Sequence, residues 1–249
     1  MFTPTILRIE SLDSTNLEAA RQAKAGAPEG LCIVAREQTA GRGRLDRKWL
    51  STKDAGLYVS IILRPRIELR HWPLIPLVAG LAVGDALLQA CDLKVDIKWP
   101  NDIYVNERKL AGILVETIDT ASGPVAIVGV GINLMSQHFP PELAGRATTV
   151  EAATSSTADV EVLLEKLVKA INERYESLQT EDGIESTMRE WCASSSYAYD
   201  RAVRVSLHDE TFDGLTRGLA SDGALRVETE AGKLRIVHAG DVTALRPMS

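Results

Sequence analysis

Gly41-Arg42-Gly43-Arg44, followed by Arg47 and Lys48, puts four cations into seven residues and spaces them with glycines. Glycine lets a backbone come close to a ligand, and each guanidinium offers forked donors to a phosphate or carboxylate. The same composition suits a solvated basic loop, or one that touches nucleic acid. It is not a dinucleotide fingerprint, because the third glycine is missing and no helix opens after it. It is not a nucleoside-triphosphate phosphate loop either, which needs Gly-Lys-Ser/Thr. A second segment, Lys98-Trp99-Pro100-Asn101-Asp102, holds a turn between two apolar runs. Lys109 then stands at the mouth of Leu110-Ala111-Gly112-Ile113-Leu114-Val115. Its charge points to a cleft or, as an edge lysine, to solvent. Gly129-Val130-Gly131-Ile132-Asn133 ends another apolar run, with glycines that permit close approach and an amide that both donates and accepts.

These segments need elements to hold them. Thr5–Ile9 alternates and reads as a strand. Thr15 with Glu18 looks like a capping box for a helix ending at Gly26, which sets Ser14-Thr15-Asn16 at a helix N-terminus. Leu31–Arg36 reads as a strand, and Leu57–Leu63 as one buried on both faces. A helix is expected over Pro73–Cys91. Strands follow at Val95–Trp99, Ile103–Val105, Leu110–Thr117 and Val125–Val130, with turns at Asn106-Glu107 and Ser122-Gly123. Gln137–Ser156 lacks periodicity and reads as a loop. Val160, Leu163, Leu164, Leu167, Val168, Ile171, Tyr175 and Leu178 mark an amphipathic helix. A shorter helix is expected over Glu185–Cys192. Beyond about Ser196 come five short strands with turns at Asp222-Gly223 and Ala231-Gly232, the grammar of a small barrel. The expected domains are residues 1–195 and 196–249.

The 249 residues are 45% hydrophobic and 25% charged, an ordinary globular balance. A net charge of −6 argues against a surface built for DNA or anionic membrane. The longest apolar stretch, Leu74–Cys91, contains Pro76, Asp85 and Gln89 and reads as a buried helix. No signal peptide is evident at the N-terminus. Three dispersed cysteines fit a reducing compartment, and four histidines show no zinc-ligand spacing. A cytoplasmic location is the expectation.

Taken in order, these segments resemble the biotin–protein ligase family: Asp13-Ser14-Thr15-Asn16, Gln38 through Arg44 with Arg47-Lys48-Trp49, Lys98 through Asp102, Arg108 through Glu116, and Gly129 through Asn133. Each is modest alone; five in order are specific. The resemblance spans Thr5 to about Arg246. It departs at Asp46, where the family pattern Gly-Arg-Gly-Arg-x-Gly has glycine. The first motif starts at Asp13, so this chain resembles the short class without the DNA-binding domain of larger members.

The resemblance implies an α/β catalytic domain, a mixed sheet backed by helices as in class II tRNA synthetases, and a small C-terminal β-barrel. It implies a ligase using ATP, Mg²⁺ and biotin to make biotinyl-5′-AMP, then transferring biotin to a lysine of an apo biotin carboxyl carrier protein. Lys109, Arg42 and Arg44 would be catalytic. Ser14, Thr15, Asn16, Gln38, Gly41, Arg42, Gly43, Arg44, Lys109, Gly112 and Leu114 would bind biotin. Arg44, Arg47, Trp49, Lys109 and Asn133 would hold the adenylate, with Asp102 a candidate Mg²⁺ ligand. Trp49 suits a pocket wall and a core position equally. A homodimer is plausible by the same resemblance, with no DNA or membrane partner. The rivals are a lipoate–protein ligase, a non-catalytic biotin-binding regulator and a nucleic-acid binder.

Overall fold

The computed structural model describes residues 1–136 and 139–245. The larger, N-terminal part of the chain runs β1 (Thr5–Leu12), α1 (Thr15–Lys24), β2 (Leu31–Gln38), β3 (Gly56–Leu63), α2 (Ile75–Cys91), β4 (Asp96–Lys98), β5 (Asp102–Val105), β6 (Arg108–Thr120) and β7 (Gly123–Asn133). Then come α3 (Val150–Thr154), α4 (Val160–Leu178) and α5 (Gly183–Ala193). Seven strands form one mixed sheet in the order β1-β2-β3-β7-β6-β5-β4. Only the β1–β2 pair is parallel.

Alternation along each strand sends side chains to two faces. Ile33, Ile62, Val125 and Ile127 meet Ala19 and Ala23 of α1 on one face. Cys32, Ile61, Ala126 and Val128 join the larger core with α2 and α4 on the other. All eight residues of β3 are buried, as its unbroken apolar run requires. Pro73, expected in the first turn of the long helix, lies instead inside a 3-10 helix, Leu69–Leu74, and Pro76 takes the first turn of α2, where its missing N–H breaks no helical bond. The segment Leu69–Cys91 is long and apolar enough to cross a membrane, but 61% of its most apolar window is buried within the protein, as a core helix.

Two local expectations are corrected. Ser14, not Thr15, is the N-cap of α1, and it makes no side-chain cap. Thr15 is instead drawn to Gln38 and Ser60, and Glu18 to Arg21 and Gln22, so no capping box forms. The expected loop at 137–156 contains α3, capped by the Thr149 hydroxyl, which accepts from the Ala152 N–H. Five residues are too short for helical periodicity to show. Gln137, where that loop was expected to begin, lies outside the described residues, as does Arg246 at the end of the family resemblance.

The C-terminal strands are β8 (Tyr199–Ser206), β9 (Thr211–Leu219), β10 (Leu225–Thr229), β11 (Leu234–Val237) and β12 (Asp241–Ala244). They pair antiparallel in the order β11-β10-β9-β8-β12. Val203, Val205, Leu225, Val227 and Val242 belong to the same buried cluster as α2. The Ser195 hydroxyl donates to the Ile97 carbonyl at 2.5 Å, and Trp99 Nε1 to the Gly223 carbonyl at 3.0 Å. The β9–β10 turn of the small sheet is thus tied to the β4–β5 turn, between Lys98 and Asp102.

Candidate active site

The cleft lies on the α1 face of the large sheet, beyond the N-terminus of that helix, and encloses about 490 Å³. Its floor follows from register. Gly129 and Gly131 of β7 share a face with Ile127, and oppose Leu114 and Gly112 of β6. Where α1 ends, larger side chains would fill this space. A Cβ on Gly129 would stand 2.0 Å from Asn16 Oδ1, and one on Gly131 2.4 Å from Trp49 Nε1. A Cβ on Gly112 would come 3.1 Å from the Trp49 ring. The glycines are flat because Asn16 and Trp49 press on them. Trp49 is therefore a half-buried wall of the cleft, with Lys109 Nζ 5.4 Å from its ring centroid.

One end of the cleft is a hydrogen-bonded cluster. Ser60, fully buried in β3, donates its one hydroxyl proton to Asn16 Oδ1 at 2.6 Å and lies 2.7 Å from Thr15 Oγ1. Gln38 Oε1 accepts from the Thr15 N–H at 2.8 Å, and Gln38 Nε2 donates to Ser51 Oγ at 2.7 Å. Asn16 Nδ2 donates to Glu116 Oε2 at 2.8 Å and to the Leu114 carbonyl at 3.3 Å. Glu116 Oε1 in turn meets Arg42 Nη1 at 3.0 Å. Ser60, Asn16, Glu116 and Arg42 thus form a continuous chain. The Ser14 hydroxyl lines the cleft and has no hydrogen-bond partner among the described residues.

The middle and far end are charged. Lys109 Nζ meets Asp102 Oδ1 at 2.6 Å. The Lys109 backbone is pinned on both sides, donating to the Arg146 carbonyl at 2.8 Å and accepting from the Thr148 N–H at 2.9 Å. Arg44 Nη1 donates to Asn101 Oδ1 at 3.3 Å, and burial holds its guanidinium below the usual arginine range. Arg47 pairs with Asp241 of β12, which pushes its pKa up. Asn133 Nδ2 donates to the Thr148 carbonyl at 3.2 Å.

A model of the biotin/lipoate A/B protein ligase family matches residues 8–133, and one of the biotin protein ligase C-terminal domain matches 200–243. The biotin--[acetyl-CoA-carboxylase] ligase of Paracoccus denitrificans is 32% identical over 92% of this chain and 96% of its own. The chain belongs to the biotin/lipoate A/B protein ligase family. The bifunctional ligase/repressor BirA of Bacillus subtilis is 34% identical over 93% of this chain and 71% of its own length. The biotin protein ligase from Aquifex aeolicus, in complex with biotin and ATP, matches with a TM-score of 0.84 at 32% identity, over 98% of this chain and all of that one.

In this family member, Ser14, Thr15, Asn16, Gln38, Arg42, Gly43, Arg44, Arg47, Trp49, Asp102, Lys109, Gly112, Leu114 and Asn133 all line one cleft. Gly41 does not. It is buried behind the wall, where a Cβ would stand 2.4 Å from the Trp49 carbonyl. Asn16 lines the cleft, yet its amide already serves Ser60, Leu114 and Glu116. Sequence reading overlooked Ser60, and quoted Glu116 in a motif without giving it a role. Ser60 left a signal: a hydroxyl inside Gly56–Leu63, a strand otherwise apolar enough to be buried on both faces, must find a partner.

Proposed function

We propose that the chain is an ATP-dependent, AMP-forming ligase that joins biotin to one lysine of a biotin carboxyl carrier protein. The observation that carries this is the division of a single cleft by Lys109. Ser14, Thr15 and Gln38 offer neutral donors and acceptors at one end, suited to a ureido ring, with Arg42 held there by Glu116, while Arg44 and Arg47 stand at the other, suited to phosphates. Ser14, Thr15 and Gln38 bind the biotin ring over Gly112 and Leu114, with Arg42, Gly43 and Arg44 folding over it. Arg44, Arg47, Trp49 and Asn133 hold the nucleotide. Asn16 and Gly41 act behind these residues rather than on biotin.

In the first step a biotin carboxylate oxygen bonds to the α-phosphorus of ATP. The bond from that phosphorus to the bridging oxygen breaks, and pyrophosphate leaves with the electron pair. An anion is attacking a polyanion, so fixed positive charge lowers the barrier. Lys109 supplies that charge and is not acylated, because the acyl group passes to AMP. In the second step the neutral ε-amine of the carrier lysine bonds to the acyl carbon, the bond from that carbon to the phosphate oxygen breaks, AMP leaves with the electron pair, and the proton lost by the amine passes to solvent. Among the described residues no group of three or more His, Cys, Asp or Glu side chains could hold a metal. Mg²⁺ would come in on the nucleotide and would neutralise phosphate charge, with Asp102, which here pairs with Lys109, as the carboxylate that would help hold it.

We assign residues 1–195 to catalysis and 196–249 to the C-terminal domain. We also infer a cytoplasmic enzyme that pairs as a homodimer and does not bind DNA. Sedimentation and a DNA titration check the last two. A lipoate ligase is disfavoured by the biotin-named relatives and the C-terminal domain match. The deciding assay incubates the protein with ATP, Mg²⁺, biotin and an apo carrier domain. Mass added to one carrier lysine is expected; an unmodified carrier would overturn the reading.

A further inference from the structure

Most arginines in the described residues hold a carboxylate. Among the described residues, four cations line the cleft without one: Arg44, which bonds Asn101 instead, Lys48, Lys98 and Arg146. Lys98 is half-buried at the end of β4. Its Nζ donates to Tyr104 Oη at 3.3 Å and lies 4.9 Å and 5.7 Å from the ring centroids of Tyr104 and Tyr197. An ammonium removed from water without a counter-ion is costly, so such a site favours an incoming anion. Burial, with Lys109 and Arg146 nearby, holds its pKa below the usual lysine value, although Asp102 and Asp241 oppose this. Arg146 has an exposed side chain on a fixed base, since its carbonyl accepts from the Lys109 N–H and Ala147 bridges to Lys109.

Sheet register sets the direction. Gly131, Gly112, Asp102 and Lys98 form one cross-strand row through β7, β6, β5 and β4. Neighbouring strands lie about 4.8 Å apart, so the Lys98 backbone is about 10 Å from β6. The neutral cluster lies over β7 and beyond, on the opposite side of Lys109. In-line displacement at phosphorus puts entering and leaving oxygens on opposite sides. An acid entering from the β7 side sends its leaving group toward β4.

We propose that Lys98 and Arg146 form a pyrophosphate subsite that receives the leaving group of adenylation. This rests on the ligase reading above. The subsite acts when the bond between the α-phosphorus and the bridging oxygen breaks, by stabilising charge that moves onto pyrophosphate. It has no part in acyl transfer, in which no pyrophosphate is present.

The test separates the half-reactions in Lys98→Met, which keeps an apolar stem between the two tyrosines, and in Arg146→Ala, which alters an exposed side chain. ATP–pyrophosphate exchange is measured against pyrophosphate and biotin concentration. Transfer from preformed biotinyl-5′-AMP to an apo carrier is measured separately. The pyrophosphate KM is expected to rise at least tenfold in Lys98→Met and at least threefold in Arg146→Ala. The biotin KM and the transfer rate should stay within twofold. An unchanged pyrophosphate KM in Arg146→Ala, or transfer that falls in parallel with exchange, overturns the subsite. Absence of exchange in the unaltered protein would instead defeat the ligase reading itself.

Discussion

Lys109 lines the cleft with its ammonium held by Asp102 and over the Trp49 ring, and its proposed role is to supply fixed positive charge to adenylation. Lys109→Ala should lower the rate of biotinyl-AMP formation by about a hundredfold to a thousandfold, the usual effect of losing one fixed charge at a transition state. Unchanged single-turnover adenylation in a folded variant would remove Lys109 from its role. The Glu116–Arg42 pair is partly solvated, so its effect is smaller. Glu116→Gln should keep the Asn16 bond, loosen Arg42 and raise the biotin KM no more than about fivefold, given about 1 kcal/mol for such a pair. A biotin titration showing no change would make Glu116 structural only. Gly129→Ala places a methyl against Asn16 Oδ1 and should cost about 1–3 kcal/mol in denaturant unfolding. With Asn16→Ser the two costs should not add, because the clash goes with the amide; strict additivity would contradict the contact. The cations and glycines were readable in the sequence because their chemistry is rare in apolar surroundings. The partners of Asn16 were not legible, because its neighbours along the chain do not reveal that Ser60 and Glu116 engage its amide.

At the scale of elements, the basic loop folds into a short turn in which Leu45 and Asp46 both take left-handed backbone, at φ +54° and +57°. Glycine adopts this region without cost, which gives a physical reason for the glycine that the family pattern has where this chain has Asp46. Aspartate tolerates it better than most residues. Asp46→Gly relieves strain but frees the unfolded chain, so global stability should move by less than about 1 kcal/mol. Thermal unfolding reads this, and a loss beyond about 2 kcal/mol would mean that the carboxylate has a further role. The segments 39–49 and 139–148 should gain amide-exchange protection when biotin and ATP are added together, since a reactive anhydride requires exclusion of water. Equal protection with and without ligands would contradict closure. Strands were legible wherever alternation or an unbroken apolar run was long, as in β3 and β7. The α1 cap was misread because Thr15 and Glu18 have the right spacing, yet tertiary partners outbid the local one.

At the scale of the whole molecule, buried titratable groups set the alkaline limit. Burial pushes the Cys32 thiol up to about 12, and raises Tyr58, Tyr104 and Tyr175 above the ordinary tyrosine value. Between pH 9 and 12 the unfolded chain gives up protons that the folded chain retains, so stability should fall as pH rises through that window. Cys32→Ala should make the fall shallower after correction for its own cavity cost; an identical slope would exclude Cys32 as a contributor. The same burial should leave Cys32 unreactive toward thiol reagents at pH 8 until the protein unfolds. The docking of the C-terminal sheet beside β4 could not be read from the sequence, because Trp99–Gly223 joins residues 124 positions apart. Through that contact, and through Arg47 with Asp241, both halves of the molecule shape one cleft. The most direct measurement is exchange of labelled pyrophosphate into ATP with Mg²⁺, comparing biotin, lipoate and no acid. Exchange that appears with biotin alone is expected. Exchange with lipoate but not biotin, or with neither acid, would contradict a biotin-activating ligase.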